Sequence, residues 1–223
     1  MSLQEYTVAR PAGSVLATNK LIRNTYILLS LTLLFSAATA GIAMATNMPP
    51  LSPLLVIVGY FGLLMVTTSL RNSAWGLLAV FALTGFMGLT LGPILNLYIH
   101  AFTNGSQLVM TALGGTGAIF LGLSGYALTT RKDFSFMGGF LFVGILVAFL
   151  AGIGALIFNL PTLSLAVSGM FILLMSGYIL FQTSAMIHGG ETNYIMATIG
   201  LYVAIYNLFL SLLRLLAAFS GNR

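Results

Sequence analysis

The side chains able to do acid–base or metal chemistry are few and badly placed for it. Glu5, Asp133 and Glu191 are the only carboxylates, and each falls between apolar runs rather than within one. Intramembrane proton relays and calcium cages are built from Asp and Glu, so neither can be assembled halfway along an apolar run. His100 and His188 lie near opposite ends of such runs and cannot share a metal. With no cysteine, thiolate ligands, disulfides and cysteine redox chemistry are excluded. No cofactor-binding motif is present.

One short string has the form of a nucleophile. Gly122-Leu-Ser124-Gly125 matches the Gly-x-Ser-Gly of intramembrane serine proteases of the rhomboid type, which pair that serine with a histidine on a later span. Ser124 and His188 both fall toward the same end of their runs. His188, however, sits at a connection, and Gly and Ser are common throughout the chain. A dyad needs the two groups within hydrogen-bond reach.

The polar residues inside apolar runs are the more informative set: Asn96, Gln182, Asn207 and Arg214. Two of them belong to a stripe in the last run. Alternating steps of four and three from Asn193 meet Ala197, Gly200, Ala204, Asn207, Ser211 and Arg214. That spacing places small or polar residues on one helix face. Small residues let helices approach closely in lipid, and polar ones seek partners away from hydrocarbon. The stripe therefore fits an ordinary packing seam or a functional one. Asn96 and Asn207 can pair between the third and seventh runs as structural glue worth about 0.6 kcal/mol. Arg214 can instead extend to the membrane surface.

These residues are positioned by a chain that is 59% hydrophobic and 5% charged, far below the roughly 25% charged of soluble domains. The composition is that of an all-α integral membrane protein embedded in a lipid bilayer. Apolar runs at about 25–46, 53–70, 74–99, 107–130, 134–159, 162–187 and 193–219 each reach the ~18 residues of a spanning helix. The first is too long for a signal-peptide core, typically about 7–15 residues. Residues 1–24 form a polar tail, in which Pro11 and Gly13 argue against a long helix. The membrane domain is 25–219.

Six of the eight basic residues (Arg10, Lys20, Arg23, Arg71, Arg131 and Lys132) fall in the tail or in alternate connections; Arg214 and Arg223 do not. The positive-inside rule puts the N-terminus in the cytoplasm and the C-terminus outside. The net charge of +5 is thus a topology signal, not a nucleic-acid surface. Gly88 and Gly92 form a GxxxG, and Gly114, Gly115 and Gly117 cluster in the fourth run; both predict close helix approach. Pro93 should kink the third run by removing its bond to Leu89.

Several strings together carry a family resemblance: Leu21-Ile-Arg-Asn-Thr-Tyr26, Gly92-Pro-Ile-Leu-Asn96, Leu128-Thr-Thr-Arg-Lys-Asp133, Ile187-His-Gly-Gly-Glu-Thr-Asn-Tyr194, and Tyr202 with Tyr206-Asn207-Leu-Phe209. From about residue 18 onward the chain resembles the Bax inhibitor family, closest to its bacterial branch. The resemblance implies seven helices with the seventh enclosed by the other six, in the bacterial inner membrane. It also implies a non-enzymatic regulator that engages the membrane AAA protease FtsH through the tail bearing Arg10, Lys20 and Arg23. Other members are described as pH-sensitive calcium leak channels that use an aspartate pair latched by an arginine. Those positions correspond here to Gln182 and Ala204, with Arg71 as the candidate latch. Neither replacement titrates near neutral pH, so the switch cannot work here in its described form.

Overall fold

The computed structural model describes residues 12–221. Among them the chain forms seven helices and no strand: α1 (Ala12–Ala45), α2 (Pro53–Leu70), α3 (Trp75–Ala101), α4 (Gly105–Thr130), α5 (Met137–Ile157), α6 (Pro161–His188) and α7 (Tyr194–Ser220). All seven are long and apolar enough to cross a bilayer. Six begin and end within a few residues of the expected runs. The exception is α1, which starts at Ala12, so most of the stretch expected to be a non-helical tail is helix. Pro11 directly precedes this helix and Gly13 falls in its first turn, where backbone N–H groups have no intrahelical partner to lose. Neither residue therefore breaks it. Lys20 and Arg23 are exposed on this part of α1, and Arg10 lies outside the described residues.

Local chemistry sets the ends. Pro53 opens α2 behind Ser52, whose hydroxyl accepts from the Leu55 N–H. Asn193 caps α7 by accepting from the Ile195 and Met196 N–H groups. Its amide also donates to the Arg71 carbonyl and Asn72 Oδ1, fastening the start of α7 to the end of α2. Gly189, at φ 84°, closes α6 in the left-handed conformation that glycine adopts freely. At the start of α5, the Ser135 N–H donates to Asp133, which holds that carboxyl below its usual range.

In the apolar window of α7, 61% of residues are buried, against 6% in α2, so α7 is central and α2 peripheral. α7 packs on α6, α4, α1 and α3, while α1 and α3 share the most extensive interface. That interface rests on glycine. A Cβ at Gly85 would stand 2.6 Å from the Phe35 ring, and one at Gly92 would stand 2.7 Å from the Ala40 carbonyl oxygen. A Cβ at Gly88 would collide with Thr39 Oγ1 and the Ser36 carbonyl. The expected GxxxG approach is thus realised in α3. The α4 cluster is not used this way: Gly114 and Gly117 have nothing within 4 Å of a Cβ position, and Gly115 only a Leu212 methyl at 3.6 Å. Pro93 is buried within α3, and the helix runs on past it to Ala101.

Polar groups in the bundle are mostly satisfied close to home. Thr67, Thr68 and Ser69 of α2 each donate to the carbonyl four residues back, as do Thr84, Thr116 and Thr198. At the centre, the Tyr202 hydroxyl lies 2.6 Å from Ser36 Oγ and donates to the Thr84 carbonyl at 3.3 Å, joining α7 to α1 and α3.

Candidate functional site

The stripe on α7 faces two adjoining cavities. The larger, about 830 Å³, lies between α2, α5, α6 and α7. Gly200, Ala204, Tyr206 and Asn207 lie on its α7 wall, and Tyr60, Tyr178, Gln182 and Glu191 bring polar side chains from the other elements. The smaller, about 540 Å³, lies between α5, α6 and α7 near the α5–α6 turn, with Asn207, Ser211 and Arg214 along its α7 wall. Phe149, Phe171 and Asn207 line both. The four-and-three spacing is thus a cavity-lining pattern as well as a packing seam.

Glycine makes the α6–α7 contact possible. A Cβ at Gly200 would stand 2.7 Å from the Tyr178 hydroxyl and 3.4 Å from Gln182 Cδ, so those two side chains lie directly on the α7 backbone. Gln182 is buried, yet its amide has no hydrogen-bond partner among the described residues and is turned to the cavity. Ala204 lines the same cavity. The two positions matched by resemblance to an aspartate pair therefore line one cavity from α6 and α7, carrying an amide and a methyl. Arg71 is exposed outside this lining, and its carbonyl, not its guanidinium, contacts Asn193.

Glu191 reaches the cavity from the α6–α7 connection and is half-buried, with its carboxylate accepting from the Thr192 and Asn193 N–H groups at 2.8 and 2.7 Å. Asp133 is exposed. Among the described residues no three His, Cys, Asp or Glu side chains converge as metal ligands.

The expected Asn96–Asn207 pair does not form. Asn96 donates to the Met44 carbonyl of α1 at 3.1 Å, and Asn207 donates back to Val203 of its own helix at 2.9 Å. The reason is rotational: Asn96 faces α1, while Asn207 faces the cavities between α5 and α6. Arg214 is exposed and donates to Ser164 Oγ at 3.0 Å. Nor do Ser124 and His188 form a dyad. The Ser124 hydroxyl is buried without a partner, whereas His188 Nδ1 lies 2.9 Å from the Ser184 carbonyl oxygen and 3.2 Å from Ser184 Oγ. Ser184 also accepts from the Phe134 N–H and donates to the Lys132 carbonyl. This histidine is part of a clasp on the α4–α5 connection.

Sequence reasoning missed Tyr60, Tyr178 and Ser164 as wall residues. Tyr178 and Gln182 stand four apart on α6, a spacing that places them on one face. Ser164 carries no such signal, because serine is common in these helices.

Comparison with known proteins agrees with this architecture. The family described as "Inhibitor of apoptosis-promoting Bax1" matches residues 18–221. "Modulator of FtsH protease YccA" of Escherichia coli strain K12 is 50% identical over 203 residues, covering 91% of this chain and 92% of that protein. An Escherichia coli O6:H1 relative of the same identity and coverage is named "Inner membrane protein YccA". "Uncharacterized protein PA2604" of Pseudomonas aeruginosa is 48% identical over 222 residues, the full length of both. The seven apolar helices and these relatives make the chain a multi-pass protein of the bacterial inner membrane. It belongs to the Bax inhibitor family.

Proposed function

We propose that the protein is a non-enzymatic modulator of the membrane protease FtsH, binding it and restraining degradation of other membrane proteins. The observation that carries this reading is the 50% identity, over nine-tenths of the chain, to a relative named for that role. Two features support it. The basic residues of the α2–α3 and α4–α5 connections, with Lys20 and Arg23, indicate a cytoplasmic N-terminus and an α7 that ends outside. The glycine-tight α1–α3 seam and a largely buried α7 packed on α1, α3, α4 and α6 would make the bundle hard for a protease to extract.

Residues 1–11, including Arg10, precede α1 and are the handle in this reading. Deleting 2–11 leaves α1 whole, so the variant should unfold at the parent temperature. Its FtsH-dependent decay in cells should slow severalfold, and other FtsH substrates should be lost faster. Unchanged decay of both would overturn the reading.

A second reading, a calcium leak, is favoured by one observation: two cavities meet at Asn207 between Glu191 and Arg214. Against it stand Gln182 and Ala204 at the acid positions and a fixed cation at one end. Calcium flux into liposomes across a range of pH, lost in Asn207→Leu, would promote it.

A further inference from the structure

Arg214 is the one charged residue on the wall of the smaller cavity. Among the described residues its guanidinium has a single hydrogen-bond partner, the Ser164 hydroxyl, which leaves most of its five donors free. Beside it on α7, Ser211 is 8% exposed. The Ser211 hydroxyl has no partner among the described residues and lines the same cavity. The third contributor is α6, which opens at Pro161 with no side-chain cap. Asn159, Leu160 and Pro161 bring that uncapped first turn to the cavity rim. The N–H groups at the rim are already used, since Pro161 has none and those of Asn159, Leu160 and Ser164 donate to the Leu156, Ala155 and Leu160 carbonyls; what remains is the positive end of the helix dipole, which favours an anion. Two side-chain donors and the positive end of the α6 dipole thus face one space with no acid among its lining residues.

Apart from Ser168 and Asn207, which donate to carbonyls of their own helices, the rest of the wall is hydrocarbon. Through Phe149 and Phe171 the space adjoins the larger cavity, whose α2 and α5 walls include the exposed residues Ile57, Phe61, Phe142 and Leu146. That side opens to the bilayer, because both α2 and α5 are peripheral helices. A polar anionic head next to an apolar trough open to lipid selects an amphiphile rather than a free ion. We propose that the smaller cavity holds the acidic headgroup of a membrane phospholipid, with its phosphate on Arg214 and Ser211 beside the positive end of α6. One acyl chain then lies past Phe149 and Phe171 in the cavity between α2 and α5. This inference is independent of any FtsH interaction.

The test uses full-length protein, extracted in detergent and stripped of lipid, then offered phosphatidylglycerol, phosphatidylethanolamine or inorganic phosphate. Bound species are weighed by native mass spectrometry. Both lipids carry the phosphodiester, but only phosphatidylethanolamine brings an ammonium beside Arg214 with no acid in the lining to receive it, so phosphatidylglycerol should be retained about tenfold better. Arg214→Leu, at an exposed position that tolerates it, should erase the preference, and Arg214→Lys should restore part of it. Ser211→Leu should block retention by filling the cavity, which a lipid held only on the outer surface would not notice. Three results overturn the proposal: equal retention of the two lipids, a preference that survives Arg214→Leu, or inorganic phosphate displacing phosphatidylglycerol.

Discussion

In α3, Gly88 and Gly92 hold the backbone of α1, and Gly85 the Phe35 ring, so near that any of the three Cβ atoms would collide. In α4, Gly114, Gly117, Gly122 and Gly125 have no atom within 4 Å of where a Cβ would stand. Both helices look alike in sequence: apolar, long and rich in glycine. What separates them is the partner. α1 offers Ser36, Thr39, Ala40 and Ala43, a row of small residues into which the α3 backbone sinks, while the glycines of α4 face no such row. Small residues close an interface only when the opposing helix is small at the same height.

The largest expected effect breaks the tight side. Gly88→Leu drives a side chain into Ser36 and Thr39 and should cost about 1–3 kcal/mol or more, read as a lower unfolding temperature in detergent. A neutral outcome would mean the seam is looser than described. The second test asks whether polar pairing helps hold that side. Tyr202→Phe removes the contacts to Ser36 and the Thr84 carbonyl and should cost about 1 kcal/mol; no change would assign the whole seam to shape. The smallest effect has the opposite sign. Gly122→Ala on the open side of α4 should stabilise by up to about 1 kcal/mol through helix propensity. A loss there would reveal a surface that packs against something in the membrane.

Much of this contrast was legible only in part. The number of helices, the bounds of α2, the GxxxG of α3 and the polar stripe of α7 follow from hydropathy and period, which report a helix and its faces. Period alone does not report which neighbour a face meets. A pairing of Asn96 with Asn207 is therefore open in the sequence, yet one turns to α1 and the other lies on the cavities. The same limit hid Ser164, whose importance depends on Arg214 fifty residues away. The early start of α1 was obscured by Pro11 and Gly13, which look like breakers but stand at a helix beginning, where they do no harm.

The back-bonded hydroxyls of α2 bear on how such a chain is made. Thr67, Thr68 and Ser69 need no other helix to satisfy their donors. A segment of this kind can leave the ribosome and enter lipid alone, before its neighbours have been translated, without stranding a polar group in oil. For α2, assembly can then wait until its neighbours arrive.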